Sequence, residues 1–346
     1  MIIIHDFFIQ NGGGENLVLS LAKELKIKII TAFNTKKKYN LIKQSRLNFF
    51  LKRSKLLVYL YYNFIFKVKV DDIIIFSGNH CCFSILKCKA RKKILYAHSL
   101  PKSLFADLYM DHNKSLFTSF FKDIHIKQYI KNLYSLDKII FNSNKTKLKF
   151  LHVFKDLEKK VDMEVIYPFS DIDFKEKQIA NLKKNKYFVI NSRHQHYKNI
   201  HHILLLLIPF LKKNKDIKIF ITQEGELTEN LVISHNQSNQ IKFTGYLNFN
   251  DYQSLLLNSV GIIFPSRDED FGIAALDAYN LSIPVIIQRN CGFSEILPNN
   301  YSYFYNDMNL ISIIERLLSD TDNKSIFYKN KLNYKKLFLS RINNLS

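Results

Sequence analysis

The chain has 346 residues, is 47% hydrophobic and carries a formal net charge of +21 at pH 7. That length suits two domains of ordinary size, each able to bury its own core, and that hydrophobic share excludes a disordered polyelectrolyte. The charge attracts polyanions, whether nucleic acid, anionic lipid heads or phosphorylated substrates. The four cysteines, Cys81, Cys82, Cys88 and Cys291, show neither paired CxxC spacing nor a disulfide framework, so a reducing cytosol is the expected compartment. Met1-Ile-Ile-Ile-His-Asp is too short and lacks the basic leader of a signal peptide. The longest apolar run, Leu56 to Phe66, falls short of the roughly 18 residues that span a bilayer.

Ile2 to Ile4 predicts a buried first strand, and His5 to Gln10 carries it into the loop Asn11-Gly12-Gly13-Gly14-Glu15. An amphipathic helix follows, with Leu17, Val18, Leu21, Ala22 and Leu25 on its apolar side. A glycine loop between strand and helix brings backbone N–H groups close to an anion, although without GxGxxG spacing the triplet also suits a plain turn. Lys26 to Thr31 predicts the second strand. From Lys36-Lys37-Lys38 through Lys43, Arg46, Phe49, Phe50, Lys52, Arg53 and Lys55, basic residues alternate with large apolar ones, as in helices that lie on anionic membranes. A solvated helical face is the alternative. Nucleic acid is disfavoured, because no helix-turn-helix, zinc or RNA-binding sheet signature accompanies the charge.

Asp72 to Phe76 and Lys93 to Tyr96 predict further buried strands, the second ending just before His98, where a lone histidine serves either structure or a site. Ser135 to Asn144 reads as strand and turn, with a basic helix from Lys145, and Val165 to Phe169 closes a first domain. Tyr187 to Asn191 predicts a strand whose following loop holds Arg193 and Lys198. His194, His196, His201 and His202 crowd there too, in a spacing that fits no common zinc site. Ile200 to Leu211 predicts a helix apolar on nearly every side and therefore buried. Ile217 to Thr222 is the next strand, Glu224-Gly225-Glu226 its turn, Ile241 to Tyr246 another strand and turn, Asn250 to Asn258 a helix, and Ile311 to Arg341 a helical, basic, aromatic tail.

The most informative stretch runs from Val260 to Ile287 as strand, turn, helix, strand. Pro265-Ser266 ends a buried strand; Asp268-Glu269-Asp270 forms an acidic loop; Phe271-Gly272 leads into a short helix through Ile273, Ala274, Leu276, Ala278 and Tyr279; and Pro284 to Ile287 is the next strand. This is half of a doubly wound unit, whose ligands sit outside the carboxyl ends of the strands. Glu269 and Asp277 are therefore expected to face a ligand crevice.

The same stretch resembles the signature of the retaining, nucleotide-sugar-dependent glycosyltransferases of the GT-B fold, known as group 1 or family 4. Glu269 and Asp277 have the family's spacing of two acids, with Pro265-Ser266 before them, Phe271-Gly272 after the first and Ala278 after the second. The Glu-Asp-Phe-Gly-Ile wording resembles members that transfer mannose or a related hexose. The chain departs from the pattern at Asp277, where Glu is usual, at Ser282, where Gly is usual, and at Cys291-Gly292, where a Gly pair is usual. Other ordered matches are the Gly12-Gly13-Gly14 loop before Glu15, the His98-x-x-Pro101 element with Lys102 in place of Arg, Arg193 with Lys198, and Gly292-x-x-Glu295.

The resemblance implies an α/β fold of GT-B architecture, with two Rossmann-like doubly wound domains facing across a cleft: residues 1–168 on the acceptor side, 169–320 on the donor side, and a tail over 321–346 whose segment Lys324 to Leu339 crosses back to the first domain. It implies a cytoplasmic hexosyltransferase of polysaccharide or lipopolysaccharide biosynthesis, peripheral on the inner face of the membrane, that moves a hexose with retention from a nucleoside diphosphate sugar to a glycan or lipid-linked acceptor. No metal and no bound cofactor are implied, and nucleic acid is not a partner. By the same likeness His98 and Glu269 lie at the reaction centre; Arg193 and Lys198 grip the diphosphate; Phe271, Gly272 and Ile273 offer backbone N–H groups; Asp277 holds the ribose; and Gly12, Gly13 and Gly14 face phosphate or acceptor. The alternative is a GT-B relative with lost or different activity, such as a sugar-nucleotide binding protein, an epimerase or a phosphorylase.

Overall fold

The structure is a computed structural model, which describes residues 1–9, 12–35, 40–101, 104–105, 122–172, 185–195, 198–223, 225–319 and 334–345. Lys36, Lys37, Lys38, Lys102, His196, Glu224 and the stretch 320–333 lie outside them. Two compact units divide the chain, one of Met1–Phe169 with Asn333–Ser346, the other of Ser170–Leu332.

The first unit is built on a wholly parallel sheet of order β3-β2-β1-β4-β5-β6-β7, comprising β1 (Ile2–His5), β2 (Lys28–Thr31), β3 (Ile42–Gln44), β4 (Ile73–Ser77), β5 (Lys92–Ala97), β6 (Lys138–Phe141) and β7 (Asp162–Val165). Its central strands are short runs of isoleucine. Ile3, Ile4, Ile29, Ile73, Ile74, Ile139 and Ile140 have no exposed surface, as a parallel sheet covered on both faces requires. Helix Gly13–Leu25 follows β1, buries Leu17, Val18, Leu21 and Ala22, and ends at Lys26 in a left-handed cap with φ 54°.

The basic stretch differs from the single amphipathic helix expected there. Residues 42–44 instead pair in parallel with β2 as an edge strand, followed by a four-residue helix Asn48–Leu51 and a helix Lys55–Leu60 that continues as a wider π turn over Tyr61–Ile65. The backbone pairing open at the edge of β2 outweighs the helical periodicity of the side chains. β7 is the other edge. It is half-exposed and held by charge, with Lys138 3.1 Å from Asp162 and 2.9 Å from Glu164. Helix Tyr334–Asn343 packs within this unit: Phe338 is buried against Tyr96 and Phe169, ring centroids 5.6 and 5.1 Å away, and Arg341 pairs with Glu164 at 3.0 Å.

The second unit carries a parallel sheet of order β10-β9-β8-β11-β12, with β8 (Tyr187–Asn191), β9 (Lys218–Thr222), β10 (Ile241–Phe243), β11 (Gly261–Ile263) and β12 (Val285–Ile286). Helix Ile200–Lys213 buries Ile203, Leu204, Leu207, Ile208 and Leu211. It is less enclosed than its apolar surface predicts, because Leu205 on the opposite side is 42% exposed. Among the described residues no helix is long and apolar enough to cross a membrane.

Candidate active-site residues

In the second unit the strand–turn–helix stretch forms as read, with β11, then a loop, then helix Ile273–Asn280 and β12. Gly272 caps this helix at φ 103°, a conformation that favours glycine, and a Cβ there would meet the Phe264 ring at 3.0 Å. Its carbonyl accepts from Ala275 N–H at 3.0 Å, and the N-terminal end of this helix's dipole favours an anion. The acidic loop is clamped from below. Gly292 N–H donates to the Glu269 carbonyl at 3.1 Å and Phe293 N–H to that of Phe271 at 2.7 Å. A Cβ on Gly292 would lie 1.9 Å from the Asp270 carbonyl oxygen, so glycine is obligatory here. Cys291 beside it has an ordinary extended backbone, φ −132°, and its thiol lies 3.2 Å from the Phe271 carbonyl. Only the second glycine of a pair is needed, and Cys291 replaces the other without strain.

Lys198, in the loop after β8, forms an ion pair with Glu269 in which the two side chains are 11% and 18% exposed. The structure thus joins two residues singled out separately. Arg193 stands exposed at the start of the same loop, where its carbonyl accepts from Gln195 N–H at 2.9 Å. Of the crowded histidines, His194 lies 2.9 Å from the Thr228 hydroxyl and His202 2.8 Å from Asp307.

Asp277, expected to face a ligand crevice, is half-buried. Its carboxylate accepts from the Ser170 hydroxyl and from Tyr252 at 3.3 Å, while Tyr252 accepts from Asn191 at 2.7 Å and Asn191 from Thr222 at 2.6 Å. This chain runs from the ends of β8 and β9 through helix Phe249–Leu257 to Asp277. Burial pushes the Asp277 carboxyl up to about 6, against the lowering hydrogen bonds of Ser170 and Tyr252. Ser170, Asn191, Thr222 and Tyr252 were not foreseen, and no local pattern marks them.

In the first unit the Gly12–Gly14 loop meets His98. Gly12 caps helix Gly13–Leu25, and a Cβ on Gly14 would lie 3.6 Å from His98 Nδ1. His98 follows β5, its Nε2 2.8 Å from the Ser77 hydroxyl at the end of β4, and its carbonyl accepts from Asn142 at 2.9 Å. Burial, reinforced by nearby His5, lowers the His98 pKa to about 3, so the ring is neutral at physiological pH. Asp6 is a further residue the sequence did not single out. Its carboxylate accepts N–H bonds from Asn79, His80 and Cys81 at 2.7–3.0 Å. Gly78 makes room for it, since a Cβ at its φ of 152° would sit 2.5 Å from Asp6 Cγ. Asp6, Gly78, Asn79, His98, Ser99 and Tyr129 line a recess of about 90 Å³ at the carboxyl ends of β1, β4 and β5.

Two parallel-sheet α/β domains carrying these residues at their strand ends define a GT-B glycosyltransferase fold. WaaG, a glycosyltransferase involved in lipopolysaccharide biosynthesis, superposes with a TM-score of 0.69 at 12% identity over 100% of this chain and 99% of its own. A sucrose-phosphate synthase of Thermosynechococcus elongatus does so at 0.69 and 13% identity, over 100% and 98%. At the level of sequence, residues 171–334 match the family Glycosyl transferases group 1. An uncharacterized glycosyltransferase of Methanocaldococcus jannaschii is 25% identical over 242 residues, 64% of this chain and 59% of the relative. The O-antigen chain mannosyltransferase RfbU of Salmonella typhimurium is 26% identical over 152 residues, 41% of each. The chain thus spans at most 59% of the length of these curated relatives. Residues 171–334 therefore carry the likeness to the group 1 family, and the chain as a whole the GT-B fold.

Proposed function

We propose that the protein is a retaining glycosyltransferase of glycan biosynthesis that moves a hexose, mannose or a relative, from a nucleoside diphosphate sugar to a hydroxyl of a cell-surface glycan or its lipid-linked precursor, at the inner face of the cytoplasmic membrane. The observation that carries this reading is the Lys198–Glu269 ion pair beside the N-terminus of helix Ile273–Asn280, inside the segment that matches the group 1 family. An ammonium, a carboxylate and the N–H groups of a helix start held together suit a ligand that is anionic at one end and rich in hydroxyls at the other.

In the proposed reaction the bond between the anomeric carbon and the diphosphate oxygen breaks, the acceptor oxygen bonds to that carbon on the same face, and the acceptor proton leaves to the departing diphosphate. Negative charge grows on the diphosphate as the sugar becomes oxocarbenium-like. Arg193 and Lys198 would stabilise that charge without a metal, since fixed cations in a water-poor site act before any solvent must reorganise. Glu269 and the N–H groups of Phe271, Gly272 and Ile273 would hold sugar hydroxyls, Asp277 the ribose. The neutral His98 ring, like the Gly12–Gly14 helix start, would hydrogen-bond substrate rather than offer charge.

The test is thermal unfolding of the purified protein with UDP, GDP, ADP and their common sugars, alongside Arg193→Ala. A ligand at a hundredfold excess over its dissociation constant adds about 2.7 kcal/mol. One nucleotide family should stabilise the protein, the variant should lose that gain, and its turnover should fall by roughly 10²-fold or more. No stabilisation by any nucleotide, or unchanged turnover in the variant, refutes the donor site.

A further inference from the structure

The 46 residues 25–70 contain twelve Lys or Arg and no Asp or Glu. Within this all-cationic stretch, apolar side chains stand in solvent: Phe49 and Phe50 are each 58% exposed, Phe64 70% and Ile65 58%, with Leu47, Leu56 and Leu57 also exposed. They are not spread at random. Leu56, Leu60 and Phe64 recur every four residues along the helix that runs from Lys55 through the π turn, while Val58, Tyr61 and Tyr62 on its other side are buried in the core of the first unit. One face of this helix is therefore anchored and the other apolar face is left open. On the short helix before it, Arg53 lies over both Phe49 and Phe50, 4.9 and 5.8 Å from the ring centroids, and Lys52 lies 5.9 Å from that of Phe49.

We infer that residues 46–65 form a docking surface for an anionic phospholipid bilayer, Phe49, Phe50, Phe64 and Ile65 entering the acyl boundary while Arg46, Lys52, Arg53 and Lys55 meet the headgroups. Charge complementarity selects this occupant. A second copy of the chain would bring two faces of one sign together, and nucleic acid would engage the cations but leave the leucines, Ile65 and Phe64 in water. A bilayer with anionic heads satisfies both at one depth, because aromatic rings with stacked cations suit the boundary between hydrocarbon and phosphate. The inference names the surface that would bring the transferase proposed above to a lipid-linked acceptor. It rests on that reading only for its purpose.

The test is co-sedimentation of the full chain with vesicles of phosphatidylcholine alone and with about one third phosphatidylglycerol, in the absence of any nucleotide or acceptor. Binding is expected to the anionic vesicles and to be lost in high salt, because each basic side chain near such a surface contributes roughly fivefold in partitioning. The triple variant Phe49→Ser, Phe50→Ser, Phe64→Ser and the separate pair Lys52→Glu, Arg53→Glu should each weaken binding at least tenfold. Both sets change only exposed side chains, so neither removes a core contact. Absence of binding, equal binding to neutral vesicles, or unchanged binding by both variants overturns the inference. So does a concentration-dependent dimer that the triple variant disperses. Arg193→Ala should bind vesicles normally, so loss of the donor site and loss of the membrane surface give different results.

Discussion

Asp277 offers a prediction in which stability and function move in opposite directions. In the unfolded chain its carboxyl titrates near 3.8, and in the fold burial raises it to about 6. Between those values the folded state holds more protons than the unfolded one, so stability falls as pH rises through the window and is flat above it. The gap corresponds to about 3 kcal/mol at neutral pH. Asp277→Asn cannot ionise and escapes that loss, yet it still offers one oxygen to Ser170 or Tyr252. After subtracting about 1 kcal/mol for a weakened hydrogen bond, the variant should be more stable than the parent by roughly 2 kcal/mol at pH 8 and less stable by about 0.5 kcal/mol at pH 4, where the parent has lost only about 0.5 kcal/mol to ionisation. Urea unfolding at the two pH values measures this directly, and the same samples should show weaker stabilisation by nucleotide. A variant less stable than the parent by the same amount at both pH values would refute the reasoning: Ser170 and Tyr252 would then hold Asp277 ionised as comfortably as water does.

The Lys198–Glu269 pair is shielded enough for its partners to couple. In a double-mutant cycle of Lys198→Met and Glu269→Gln, urea unfolding should give an interaction energy of about 1–3 kcal/mol, and additive losses would show that the two charges act separately. Ser282 closes helix Ile273–Asn280 at φ 59°, where its N–H donates to the Tyr279 carbonyl at 3.0 Å. Ser282→Gly should therefore raise stability by roughly 1 kcal/mol, since glycine adopts this conformation without a steric penalty, and a lowered melting point would contradict that. For His98, ring NMR signals should stay unchanged from pH 8 down to pH 5, because its pKa lies near 3; a titration midpoint near 6.5 would remove the neutral-donor role.

What could be read from the sequence, and what could not, divides along the distance over which each interaction acts. The isoleucine strands were legible because a parallel strand covered on both faces must be apolar throughout. Gly272, Glu269 and the helix after them were legible because strand, turn and helix are contiguous. The edge strands were not: Ile42–Gln44 and Asp162–Val165 mix charged and apolar residues, and only a neighbour's open hydrogen bonds make them strands. Tyr252 and Ser170 bond to Asp277 from 25 and 107 residues away, and Asp6 caps a turn 73 residues on. Nothing in the local pattern of Asp6 or Tyr252 distinguishes it from any other loop acid or helical tyrosine. The departures at Ser282 and Cys291 were legible as departures, and their meaning was not: one sits in a strained left-handed cap and the other in unstrained extended backbone.

Helix Tyr334–Asn343 places the last described part of the chain in the same body as the first. During synthesis, then, the first unit cannot finish when residue 169 emerges from the ribosome. Tyr96 and Phe169 must wait, still lacking the Phe338 ring that covers them, until the entire second unit has been made. Since domains fold largely as they appear, the later unit is the one that can close first, and the seal on the earlier one arrives last.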